Sequence, residues 1–236
     1  MAIPSLSQQY RDKAPLLIAL VVSSVMSLVI FAGRVAYSEH WTYLFLAFNL
    51  FLAWLPLCCA LTLWDLDQRK AKSNLILLAL FGGWLLFFPN APYLVTDLIH
   101  LGPRHNVPLW YDMVLIFSFA WNGLILGFTS LWIVQGVVHA RFGGVASWLM
   151  VGFSLAAGGF GIYLGRFLRW NSWDLFTDPT GLAVDILAPL LNPLGHPRTI
   201  VVTLLFSGFM TVAYITIKLL GGVRWQAIEP GERLSR

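Results

Sequence analysis

Apolar positions fall in long runs, each able to fill the ~30 Å hydrocarbon core of a bilayer with a helix. They lie at about 15–37, 41–63, 110–139, 145–168 and 199–220, with a shorter run at about 74–95. The pattern predicts an all-α, polytopic membrane helix bundle of about six transmembrane helices, forming a single transmembrane domain over residues 1–236. The first run follows Arg11 and Lys13 as in a signal peptide. It is longer than a secretory h-region and lacks a small-x-small cleavage site, so it reads as a retained helix.

The run at 74–95 is irregular. From Leu75 to Phe88 it covers about 21 Å at 1.5 Å per residue, short of the core thickness, before meeting Pro89-Asn90-Ala91-Pro92. Two prolines remove two backbone donors and bias the preceding residues, Phe88 and Ala91, away from the α region. The third helix is therefore expected to break near the outer third of the membrane and resume toward Leu98. Residues 174–198 carry Asp178-Pro179, Ala188-Pro189, Asn192-Pro193 and His196-Pro197 around an apolar patch. This stretch is too short and too proline-broken to span, and is expected to lie along the interface or to fold back over the bundle.

Composition agrees with lipid as the main solvent: 58% of residues are hydrophobic and only 11% charged, too few to hydrate the surface of a soluble domain. The net charge of +4 comes from basic residues scattered between apolar runs, not from a stripe, which removes nucleic acid as a partner. Adjacent Cys58 and Cys59 have neither metal-ligand spacing nor a separate disulfide partner, and read as packing residues. With the N-terminus inside, Arg11, Lys13, Arg69, Lys70, Lys72, Arg141, Lys218, Arg224, Arg233 and Arg236 are cytoplasmic. Arg34, Arg104, Arg166, Arg169 and Arg198 fall on the other side. This 10-to-5 split of the 15 basic residues favours cytoplasmic termini, in a membrane read as the bacterial inner membrane.

Polar residues inside spans are costly and face the bundle interior or a cavity. By depth, Asn49, Asn90, Asp97, His100, Asp112, Arg166 and Arg169 gather in the non-cytoplasmic half, with Asn122 near mid-membrane. Asp97 and His100, three apart on the resumed helix, are candidates for a general base with its orienter. With His105 or Asp112 they are alternatively metal ligands, or else they cap a broken helix. Arg166 and Arg169 are expected to share a helix face beside Trp170 and Trp173. Such a face suits a phosphate or carboxylate head group, but also snorkelling anchors or an ion pair of Arg166 with Asp97, Asp112 or Asp174. Asn90, Asp112, Asn122, Asn171 and Trp173 complete the candidate substrate-binding set. For Asn122, inter-helix hydrogen bonding to Asn49 or to carbonyls freed by the prolines is the alternative. Gly158, Gly159, Gly161 and Gly165, with Gly123 and Gly127, read as small-residue faces for close helix approach. No P-loop, H-E-x-x-H or G-x-S-x-G motif is present, and no cofactor or metal is specified.

The segments Asn49 to Pro56, Phe88-Pro89-Asn90-Ala91-Pro92-Tyr93 through Leu101, Trp110-Tyr111-Asp112, Ser118 to Gly123 and Gly161 to Asp174 resemble a bacterial membrane-protein family, domain of unknown function 1361. The resemblance covers roughly residues 40–220. It implies an integral membrane protein and supplies no activity. Three functions compete on the residues themselves. One is an accessory or scaffold protein with a polar site toward the non-cytoplasmic side, in contact with membrane lipids and a protein partner in the membrane. Another is an enzyme acting on a lipid or lipid-linked phosphate, with Arg166 and Arg169 binding the anion and Asp97 and His100 in acid–base roles. A small-solute transporter using the broken helix is the weakest, since no repeat is visible.

Overall fold

The computed structural model describes residues 6–69 and 73–222, with side chains from residue 13 to 221 within those ranges. Lys70, Lys72, Arg224, Arg233 and Arg236, and the side chain of Arg11, lie outside the described residues. The described residues are helical and contain no strand. The long helices are α1 (Leu6–Ser38), α2 (Leu44–Gln68), α3 (Asn74–Phe87), α5 (Leu109–Tyr163) and α8 (Pro197–Gly222). A short helix α4 (Asn90–Tyr93) and a 3-10 helix (Leu94–His100) extend α3, and a π-helical turn (Leu164–Leu168) extends α5. Helices α6 (Asp174–Thr177) and α7 (Pro179–Leu191) fill the connection to α8.

Among the described residues, five helical stretches are long and apolar enough to cross a membrane. The longest, Leu109–Leu168, has 60 residues, about 90 Å of helix and some three times the hydrocarbon thickness. It is two spans joined without a loop. Gly143 interrupts it at φ 85°, ψ −180°, a conformation open to glycine, and the arms fold back on each other. Phe128, Leu131 and Val134 of the first arm share one core with Val151, Leu155 and Ile162 of the second. Helices α1 and α8 turn long apolar faces outward, including Val22, Met26 and Val29 on α1 and Leu204, Leu205 and Val212 on α8. Ser24, Ser27, Arg34, Asp97, Asp112 and Asn122 are buried among the apolar core residues. Apolar side chains outside with polar ones inside fit a chain solvated by lipid, and the protein is a multi-pass membrane protein.

The third helix breaks where the prolines place it, but by another route than expected. Phe88 stays in the α region at φ −52°, ψ −42°, and Ala91 is helical within α4. The disruption comes from missing donors, not from dihedrals. Pro92 cannot bond the Phe88 carbonyl, which instead accepts from Ala91 N at 3.2 Å, one residue tighter than an α-helical bond. The carbonyls of Leu86 and Phe87, left without their usual partners, accept from Ser172 Oγ at 3.3 Å and Asn90 Nδ2 at 3.1 Å. The chain then continues as 3-10 helix to His100.

Glycines seat this broken segment. A Cβ on Gly123 would lie 2.2 Å from the Ala91 carbonyl oxygen, and one on Gly161 would lie 2.6 Å from Pro89. Gly127 meets Ala91, Gly158 meets Phe88 and Gly165 meets Tyr93, so both arms of α5 close around α4. Gly159 faces Thr203 and Ser207 of α8. Both cysteines are free, with Cys58 exposed and Cys59 against the core. In the 174–198 stretch, Asp185 Oδ2 accepts from Trp170 Nε1 at 2.7 Å, Leu182 is buried, and Phe176, Val184, Leu187 and Leu191 are exposed.

Gly123→Ala is expected to lower the melting temperature of the detergent-solubilised protein, since overpacking costs about 1–3 kcal/mol. Gly136→Ala, whose Cβ meets nothing within 4 Å, is the control and leaves melting unchanged or slightly raised.

Candidate functional site

The polar residues of the broken helix converge on Arg166. The π-helical turn ends at Arg169, which adopts a left-handed conformation (φ 65°), and Leu164 O accepts from both Arg169 N and Trp170 N. Widening the last turn aims Arg166 at the 3-10 helix and sends Arg169 outward, so the two do not share the helix face expected of them. Arg166 Nε and Nη2 donate to Thr96 Oγ1 at 2.9 and 2.7 Å, Nη2 also donates to Asp97 Oδ1, and Nη1 lies 3.0 Å from His100 Nε2. The guanidinium stands over the Tyr93 ring, 4.7 Å from its centroid. Asp97 is buried and takes a second bond at Oδ2 from Asn49 Nδ2 at 3.0 Å.

Arginine has no acceptor, so His100 Nε2 must present its lone pair, which makes the ring neutral with its proton on Nδ1. Tyr43 Oη donates to the His100 carbonyl at 3.2 Å and Phe45 packs edge-on to the ring, fixing the residue in place. Arg166 stands between Asp97 and His100. The two side chains share this guanidinium and make no direct hydrogen bond.

Other expected site residues lie elsewhere. Asp112 forms a buried ion pair with Arg34 (Nε–Oδ1 2.7 Å, Nη2–Oδ2 3.3 Å), both side chains essentially without exposure, and the Arg34 guanidinium rests on the Tyr43 ring. Asn122 joins α5 to α1, donating to Ser27 Oγ at 2.8 Å and Ser23 O at 3.2 Å. Its partners are therefore serines of α1, not Asn49 or the proline-freed carbonyls. His105 stacks on His40 with ring centroids 3.8 Å apart. Among the described residues no three His, Cys, Asp or Glu side chains gather closely enough to hold a metal. Thr96 and Tyr93 had no role assigned from sequence. Only the run Thr96-Asp97, two polar neighbours within an apolar helix, signals the first.

Asn90, Asn171 and Trp173 do come together, around a cavity of about 430 Å³ between α2, the α3–α4 break, the second arm of α5 and α7. Asn49, Tyr93, Trp170, Ser172, Leu182 and Ile186 also line it. Arg166, Asp97 and His100 sit behind its wall, and exposed Arg169 does not reach it. Asn90 Nδ2 donates to Ser172 Oγ at 2.9 Å, tying the break to the Trp170–Trp173 turn.

The chain matches a family profile over residues 48–213. It belongs to the family described as protein of unknown function (DUF1361). The matched stretch contains Arg166, the three side chains it bonds and every residue lining the cavity, whereas Arg34 precedes it. No curated protein and no solved structure matches the chain.

Asp174 and His105, both outside the spans, have shifted protonation. The Asn171 backbone N–H, donated to Asp174 Oδ2 at 2.7 Å, holds the Asp174 carboxyl below the usual carboxylate value, helped by Thr177 and the Asn171 side chain. Desolvation in the stack, then the charges of His40, Arg34 and Arg104, hold His105 below the usual imidazole value, with Asp112 opposing. For a depressed pKa, the stabilisation is present above the unfolded value and is lost as pH falls through the folded one. The His40–His105 contact is therefore intact above the ordinary imidazole range and weakens as pH falls below it. Hydrogen exchange of residues 101–108 should accelerate across that range in the wild type, and not in His105→Phe.

Removing one partner of a buried pair leaves the other charge unpaired, at a cost of about 3–5 kcal/mol. Arg34→Leu and Asp112→Leu should each lower the melting temperature sharply. The double substitution should recover most of the loss.

Proposed function

We propose that the chain is an accessory or scaffold protein of the bacterial inner membrane. Its termini are cytoplasmic, its polar residues lie toward the non-cytoplasmic side, and it works with a protein partner in the same membrane. What supports this is the use Arg166 makes of its donors. An anion site needs a guanidinium with N–H groups to offer. All three nitrogens of Arg166 already bond Thr96, Asp97 and His100 within the protein. An acid–base dyad needs the base bonded to its orienter and a reacting proton within reach. Here Arg166 takes up the His100 Nε2 lone pair and separates it from Asp97. The same contacts suit a lock between the broken third helix and the end of α5, where an unpaired charge in hydrocarbon would be costly. The lipid-phosphate enzyme would have to dismantle this lock before each turnover. Basic residues divided 10 to 5 between the two sides support cytoplasmic termini.

Complementation of a deletion strain tests the proposal. His100→Ala, which removes one acceptor but leaves the Asp97–Arg166 pair, is expected to complement fully. Arg166→Ala is expected to fail together with its folding, seen as a lowered melting temperature. A His100→Ala protein that accumulates and melts normally yet does not complement would assign His100 a chemical role and sink the scaffold.

A further inference from the structure

The cavity beside the lock has walls of definite chemistry. Three carboxamides line it, and the orientation of each is settled by a partner that can only accept. Asn49 Nδ2 donates to the Asp97 carboxylate at 3.0 Å, Asn90 Nδ2 to the Phe87 carbonyl at 3.1 Å, and Asn171 Nδ2 to the Asp174 carboxylate at 3.2 Å. With the nitrogens anchored, the three Oδ1 atoms remain as acceptors without a protein partner among the described residues. The Tyr93 hydroxyl and the Trp173 indole N–H are likewise unpartnered and supply donors. The rest of the wall is apolar or aromatic, and no Asp, Glu, Lys or Arg lines the space.

That inventory selects among ligands. An anion would meet the negative ends of three amide dipoles with no cation beside it. A buried ammonium would find no carboxylate to offset its lost hydration. A neutral ring with several hydroxyls gives each Oδ1 a donor and accepts from Tyr93 and Trp173, while its C–H face rests on indole. The volume of about 430 Å³ is within the ~300–1,000 Å³ span of small-molecule sites. We propose that this cavity binds an uncharged polyhydroxylated ring, a glycosyl group, supplied either by a glycolipid of the surrounding leaflet or by a free saccharide. Helix α7, which contributes Leu182 and Ile186, covers the site and is fastened by the Trp170–Asp185 bond.

The test uses the full chain in phosphatidylcholine nanodiscs, following the tryptophan fluorescence to which Trp170 and Trp173 contribute. Maltose is titrated in one arm, glucosyl diacylglycerol is incorporated in a second, and inorganic phosphate and ethanolamine serve as third and fourth probes. A saturable change with either glycoside is expected. Response to the lipid alone identifies a headgroup site, and response to both a site for the ring itself. Asn90→Ala and Asn171→Ala should each weaken binding by about tenfold, the effect of one lost hydrogen bond. Asn171 is exposed, so its variant decides the matter if Asn90→Ala fails to fold. The proposal is overturned if neither glycoside gives a saturable change, if folded variants bind as the wild type does, or if phosphate or ethanolamine saturates where glycosides do not.

Discussion

Hydrocarbon offers no hydrogen bonds, so a backbone polar group carried into lipid must be satisfied from within the chain. At Pro89 and Pro92 this requirement acts on the backbone. The missing N–H groups interrupt the i→i−4 ladder, and at the break the Leu86 and Phe87 carbonyls, whose usual donors on Asn90 and Ala91 are displaced, accept from side chains of Ser172 and Asn90. Ser172 arrives from more than eighty residues away, and with it come the Trp170–Trp173 turn and the helices that follow. The cavity is enclosed by the same elements that repair the break. The defect in the third helix thus fixes where the connection to α8 must dock.

Charge is handled in the same way. Arg34 with Asp112 and Arg166 with Asp97 are each paired face to face inside the bundle, one between α1 and α5, the other between the 3-10 helix and the end of α5. Each guanidinium also lies on a tyrosine ring, Tyr43 or Tyr93, which adds a further favourable contact where water is scarce. Glycines set the distances. Gly123, Gly127, Gly158, Gly161 and Gly165 bring both arms of α5 against α4, and only that approach lets Arg166 reach Thr96, Asp97 and His100 together. With charges confined to locks, the cavity alongside is left with neutral amides and indoles.

Much of this was legible in the sequence, and the reasons differ by feature. Hydropathy alone located the spans, because run length against bilayer thickness is a one-dimensional property. Proline chemistry located the break at Pro89–Pro92 for a similar reason: a missing N–H is a fact about one residue. Six expected spans correspond to five helices because Gly143 turns the chain within a single residue, where a loop was anticipated between 139 and 145. Glycine spacing marked the close-packed faces, although it did not say which neighbour each face receives.

Partner choice was beyond the sequence. The run from Asp97 to His100 showed two polar residues on one face, but whether they bond each other or a third group depends on what the end of α5 brings to them. A π-helical turn and a left-handed Arg169, neither encoded by a local motif, separate Arg166 from Arg169 and deliver the former into the bundle. Asn122 found serines on α1, and Asn49, a reasonable partner for it by depth, went to Asp97 instead. Depth along a helix is additive in residue number. Rotation about the helix axis and the identity of the facing helix are set by packing. The sequence by itself therefore determined that this is a membrane bundle with a broken third helix and polar residues at one end. The tertiary structure alone decided which of them are locked together and which face an open cavity.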